Sequence, residues 1–286
     1  MSKGIPAISR KQVIASLPRR PRDSHKGEFG TVAVIGGASG MVGAPLLAAR
    51  AALKLGAGSV HAGLLAENCP AVDMLQPELM LHPASTTLQL PGVDVLAVGC
   101  GMGRCEAARQ LLRLALQSDT ALVLDADALN MLAENPGLWE TVSKRGAATL
   151  FTPHPGEAAR LLDCTVGEVK HDRAAAVRRL GQRFACSVVL KGADSLCLTR
   201  TGELFVNPTG NPGMSSPGMG DVLTGMIAAF IAQGMSADES LLAAVYLHGA
   251  AGDELARQGI TLGMTATDVT EWARWLLNQH ITARKS

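Results

Sequence analysis

Gly218-Met219-Gly220-Asp221 places a carboxylate directly behind two glycines. The stretch leading to it, 207–220, holds four glycines and three prolines, a composition that excludes a helix interior and a central strand. It is a loop. Residues 222–233 are apolar and rich in Ala, Leu, Met and Ile, with Gly234 placed to stop them, which predicts a buried helix. Glycines let backbone N–H groups approach a ligand closely, and the first turn of a helix leaves unpaired donors facing outward, so the junction suits an anion. Phosphate is the natural candidate. Asp221 would repel that anion, so its presence needs a reason. Either it is the N-cap of the helix it opens, or it accepts the proton of a substrate hydroxyl that attacks a phosphoryl group held there. The local sequence leaves both open.

Other candidate groups stand where apolar runs end. The run 93–99 leads into Cys100-Gly101-Met102-Gly103-Arg104, 121–124 into Asp125-Ala126-Asp127, 148–151 into Thr152-Pro153-His154-Pro155, and 187–190 into Lys191-Gly192-Ala193-Asp194-Ser195. These runs are continuous and apolar, as in parallel strands covered on both faces. In open α/β sheets ligands sit outside the carboxyl ends of the strands. Asp125 there can hold magnesium through water, or simply cap a helix. Two prolines fix the backbone around His154, which favours a ligand contact over a histidine that is merely structural. Lys191 beside a glycine turn can bind phosphate, or be a solvated lysine.

The elements that must carry these groups follow in order. A strand over 31–35, the turn Gly36-Gly37-Ala38-Ser39-Gly40 and a helix over 44–55 lead to a second strand over 59–64, a βαβ unit. Gly37, Gly40 and Gly43 have dinucleotide-fold spacing. The only tyrosine, Tyr246, lacks the lysine four residues on that a short-chain dehydrogenase needs, since Ala250 stands there. That reading fails. Residues 66–92, with prolines at 70, 77, 83 and 91, predict an irregular excursion. Helices are expected over 106–117, 156–162, 166–184, 238–257 and 266–279, and a hairpin over 196–199 and 203–206. Residues 1–24 predict an arm packed on the body, with a short helix at 9–17, and Ser286 ends an exposed tail. No P-loop, internal repeat or linker occurs, so one α/β domain over 1–286 is the simplest account.

Apolar residues make up 47% and aromatics 3%, so Ala, Leu and Val must build the core. A formal net charge of +1, with one dense basic patch at Arg19-Arg20-Pro21-Arg22, argues against nucleic acid as a partner. No run is long enough to cross a bilayer and the start does not read as a signal peptide, which places the protein in the cytoplasm. The six cysteines contain no C-x-x-C pair and the seven histidines show no zinc spacing, so the thiols read as reduced and mostly buried.

KGEFG, VIGGASGMVGAP, GCGMGR, LDADALN, TPHPGE, VLKGADS and NPGMSSPGMGDVLTG occur in this order across residues 20–280. Together they resemble the ADP/ATP-dependent NAD(P)H-hydrate dehydratases, a branch of the ribokinase-like fold. The resemblance implies a mostly parallel central sheet with helices on both faces. It implies nucleotide-dependent dehydration of the S-form of hydrated NADH and NADPH (NADHX and NADPHX), with ADP converted to AMP and phosphate and Mg2+ required. By motif position, Asp221 is the catalytic base. The hydrated cofactor contacts Ala44, Gly103, His154 and Asp221, and the adenine nucleotide contacts Lys191, Gly192, Ala193, Asp194, Ser195, Gly218 and Gly220. Members usually use ADP in bacteria and are often homo-oligomers, commonly tetramers. The epimerase domain fused to some members is not expected here. One departure stands out, because Pro217 occupies a position where the family usually has glycine, and proline lacks an N–H that a phosphate could use. Two rival readings are a ribokinase-like kinase of a small alcohol and a nucleotide-binding module impaired at Pro217.

Overall fold

A computed structural model describes residues 4–283. After α1 (Arg10–Ser16) the chain runs through β1 (Thr31–Gly36), α2 (Gly43–Lys54), β2 (Ser59–Leu64), β3 (Met80–Pro83), α3 (Ala84–Thr87), β4 (Val95–Val98) and α4 (Glu106–Gln117). It continues through β5 (Ala121–Leu124), α5 (Ala126–Glu134), α6 (Trp139–Ser143), β6 (Thr149–Phe151), α7 (Pro155–Leu162), α8 (Val166–His171) and α9 (Arg173–Phe184). The last elements are β7 (Ser187–Leu190), β8 (Leu196–Leu198), β9 (Leu204–Val206), α10 (Met219–Ala232), α11 (Ala237–Arg257) and α12 (Ala266–Ala283).

The nine strands form one sheet in the order β3-β2-β1-β4-β5-β6-β7-β8-β9. The first seven are parallel and the last two antiparallel. Alternating side chains serve two cores. Val32 and Val34 face α2, α10, α11 and α12, whereas Ala33 and Ile35 share the other face with α4, α5, α7 and α9. Helices therefore cover both faces, which is why the central strands carry no polar alternation.

Strand order reverses between β1 and β4, and glycines let the two strand ends meet. A Cβ on Gly36 would lie 2.0 Å from the Cys100 carbonyl oxygen. The space is used for pairing, with Gly37 N–H donating to Cys100 C=O at 3.1 Å and Ala38 N–H to Gly101 C=O at 2.7 Å. Such a reversal point is where open α/β sheets bind ligands.

The arm expected over 1–24 packs as read where it is described. Ile8 N–H donates to Val206 C=O, Val206 N–H donates to Pro6 C=O, and Ser9 caps α1. Arg20 stacks over the Phe29 ring at 3.8 Å. Ser286 lies outside the described residues.

Four expectations are corrected. The segment 66–92 contains β3 and α3, because an edge strand of four residues with mixed burial is too short to print a period. The helix expected over 166–184 is two, broken at Asp172, whose carboxylate accepts from Ala175 N–H at 2.9 Å and caps α9. The helix expected from 222 begins at Met219. Only three of the six free cysteines are buried; Cys69 and Cys164 are half-buried and Cys105 is exposed. No helix among the described residues is long and apolar enough to cross a membrane.

Candidate active site

Gly218 is the N-cap of α10, at φ 86° and ψ −10°, a left-handed conformation that glycine adopts without strain. Those angles match the third position of a type II turn, for which proline is favoured just before, so Pro217 presets the loop as it enters the helix. Met219, Gly220 and Asp221 form the first turn. Asp221 is therefore not the cap, and that account of it is corrected. It belongs to the first turn, whose N–H groups an anion would use.

The surroundings of Asp221 hold it near neutrality. Burial pushes its carboxyl up, Asp125 adds repulsion, and hydrogen bonding from Cys100 with the charge of Lys191 pulls partly back, leaving it at about 6. Ligand atoms of Cys100, Asp125 and Asp221 all lie within 4.8 Å of one another. The Cys100 thiol is pushed up by burial and by both carboxylates, so it stays protonated.

Asp125 ends β5 at the N-cap position of α5 but makes no side-chain cap bond. Instead it accepts from Lys191 Nζ at 2.7 Å and from Thr224 Oγ1 of α10 at 3.1 Å. Burial opposes its charge, yet Lys191 and the hydrogen bonds from Lys191, Thr152 and Thr224 leave its carboxyl below the ordinary value. Burial also opposes the charge of Lys191, and Asp125 and Glu157 more than restore it. Gly220 makes room for this ammonium, since a Cβ there would lie 3.1 Å from Lys191 Nζ and 3.5 Å from Asp125 Oδ2.

A cavity of about 490 Å³ opens beside the first turn of α10. Lys191, Gly192, Ala193, Asp194, Ser195 and Gly220 line it, facing the loop over 207–215 and His248 of α11. Gly218 does not line it. Ala44 and Gly103 lie instead at the β1/β4 seam: a Cβ on Gly101 would meet Ala44 Cβ at 3.1 Å, and one on Gly103 would meet Ala38 Cβ at 3.3 Å. Gly103 N–H donates to Asp127 at 2.8 Å. Asp221 thus stands near both Cys100 of the seam and Lys191 of the cavity.

His154 caps α7. Its Nδ1 accepts from Gly156 N–H at 2.9 Å, and Glu157 returns the bond by accepting from His154 N–H at 2.8 Å. Burial first, then Lys191 and Arg160, lower its pKa, and its Nε2 lies 3.3 Å from Glu157. The side chain remains half exposed.

Sequence reasoning missed three groups here. Thr224 was detectable as the polar residue within an otherwise apolar helix. Cys100 read only as a buried thiol. His248, pushed down to about 4 mainly by burial, carries no local signal at all; its Nε2 is buried and has no partner among the described residues.

The donors suit magnesium only in company. Each Asp125 oxygen already accepts a hydrogen bond, Asp221 accepts one from Cys100, and the thiol is protonated, so no carboxylate of the cluster is without a partner. Magnesium keeps several waters and binds through one or two carboxylates plus substrate phosphates. The site fits an ion brought by a nucleotide.

The sheet order and the glycine-led helix at its carboxyl edge define a ribokinase-like protein. A solved ribokinase-like superfamily protein from Enterococcus faecalis aligns with a TM-score of 0.86, at 27% identity, covering 98% of each chain. Within that class the chain belongs to the NAD(P)H-hydrate dehydratase family, whose model matches residues 32–274. It is 44% identical over 284 residues to an ADP-dependent (S)-NAD(P)H-hydrate dehydratase of Neisseria meningitidis serogroup B, covering 95% of both chains. The structure of an ADP/ATP-dependent NAD(P)H-hydrate dehydratase from Bacillus subtilis, co-crystallised with ATP and Mg2+, aligns with a TM-score of 0.85 at 26% identity, covering 98% of this chain and 100% of that one. Other relatives are bifunctional NAD(P)H-hydrate repair enzymes, of whose length the chain spans about half.

Proposed function

We propose that this enzyme returns the S-form of NADHX and NADPHX to NADH and NADPH, converting ADP to AMP and phosphate. The observation that carries the reading is Asp221, poised at about 6 inside the first turn of an anion-receiving helix. The hydroxyl oxygen of the hydrated ring attacks the terminal phosphorus of ADP, and the bond to AMP breaks. Asp221 takes the hydroxyl proton. The ring nitrogen's electron pair then expels phosphate from carbon, and loss of a proton from the neighbouring carbon restores the double bond. Hydroxide would leave poorly; phosphate leaves well.

In this reading the N–H groups of Gly218 and Gly220 hold the phosphoryl group at the positive end of α10. Residues 191–195 hold the nucleotide, and Ala44, Gly103 and His154 hold the hydrated cofactor. Magnesium, bound with the nucleotide, neutralises phosphate charge. Residues 1–286 act as one domain with 1–24 as its arm, in the cytoplasm. The corresponding assembly is a homo-oligomer.

The test is recovery of reduced-nicotinamide absorbance from hydrated NADH with magnesium and either ADP or ATP. Recovery with ADP, together with AMP formation, is expected. No recovery with either donor, while nucleotide still binds, overturns the reading in favour of a small-alcohol kinase.

A further inference from the structure

We infer that Asp125 is a positioning residue that seats the Lys191 ammonium over the first turn of α10 to meet the nucleotide's phosphates. The inference rests on the proposed nucleotide site and adds to it how the site is kept rigid.

Asp125 is 1% exposed, and a buried carboxylate must be paired to persist. It occupies a helix N-cap position, where aspartate ordinarily accepts from the N–H groups of the first turn. Here it does not. Its oxygens turn away from α5, one to Lys191 at 2.7 Å and one to Thr224 at 3.1 Å. The carboxylate thus ties the ends of β5 and β7 to the helix that carries Asp221. Capping does not require those partners.

Lys191 shows what the arrangement is for. Its side chain keeps 21% of its surface and lines the cavity, while its Nζ stands beside Gly220. Asp125 is its one side-chain hydrogen-bond acceptor among the described residues, so two of three ammonium donors remain for a ligand. A free lysine would sample many rotamers, and ordering it on binding would weaken affinity. Asp125 orders it in advance.

The test is calorimetric binding of AMP and ADP, in EDTA and in magnesium, to the full chain and to D125N, K191M and the double variant. D125N and K191M are each expected to weaken AMP binding about tenfold in EDTA, the loss of one charge-assisted contact. The double variant is expected to bind no more weakly than K191M, and the magnesium concentration giving half-maximal ADP binding is expected to stay unchanged. Wild-type affinity of D125N in EDTA overturns the inference, as does a weakening seen only with magnesium, which would make Asp125 a metal ligand. Should D125N fail to fold, the double variant removes both buried charges at once. Binding well below that of K191M would then overturn the positioning role. Absence of AMP and ADP binding by the wild type would instead overturn the nucleotide site itself.

Discussion

Gly225 of α10 lies against the backbone of Ala48 in α2, so closely that a Cβ on the glycine would stand 2.0 Å from the Ala48 carbonyl oxygen. The two helices cross backbone to backbone, and the crossing sets where the first turn of α10 meets the strand ends. Gly225→Ala must push them apart. Overpacking of this kind costs about 1–3 kcal/mol, and the upper end is expected because backbone on both sides has to move. Urea denaturation checks the stability. The dehydratase assay should show a loss larger than the unfolded fraction explains, since Asp221 rides on the displaced helix.

Asp221 must be ionised to accept a proton, and its carboxyl stands at about 6. The profile of log kcat/KM against pH is expected to fall with unit slope below about 6 and to be flat just above it. A limb centred near the ordinary carboxylate value of 3.8 would show that burial and Asp125 do not raise the Asp221 carboxyl in the working enzyme.

The same raised value has a stability consequence of opposite sense to its catalytic one. Between 3.8 and about 6 the native state binds more protons than the unfolded chain, so stability falls as pH rises through that window. Above it the cost is complete, at most about 3 kcal/mol for a shift of this size. Asp221→Asn removes that cost. It is expected to lower kcat by roughly 10²–10⁴-fold while raising Tm at pH 7 and leaving Tm at pH 3.5 little changed. Thermal melts at the two pH values decide it; a lower Tm at pH 7 would contradict the assignment.

Pro217→Gly is expected to loosen the turn that delivers Gly218, with a stability loss under about 1 kcal/mol, chiefly through the unfolded chain. Nucleotide affinity should change by more than this. Equal nucleotide Kd values in the two proteins would show that the entry turn does not govern the anion seat.

Much of the scaffold was legible because it is written in local terms. Strands over 59–64, 121–124 and 187–190 and the helix over 106–117 stand where the apolar runs place them. Buried parallel strands bounded by Gly, Pro and Asp leave no competing period. The grouping of strand ends on one edge also followed, since parallel strands deliver all their carboxyl ends to the same side. The edge strand β3 escaped because four half-exposed residues carry no repeat.

By itself, then, the sequence determined the family through ordered motifs, the parallel sheet through its apolar runs, and an anion-seeking helix start through its glycines. It left the duties of the charged groups open. Whether Asp221 caps its helix turned on a helix beginning at Met219, and whether Asp125 caps turned on Lys191 and Thr224, which lie 66 and 99 residues away in the chain. A carboxylate's role depends on which donors and charges surround it and on how little water reaches it. Those neighbours come from separate strands and helices, so only the tertiary structure could choose them.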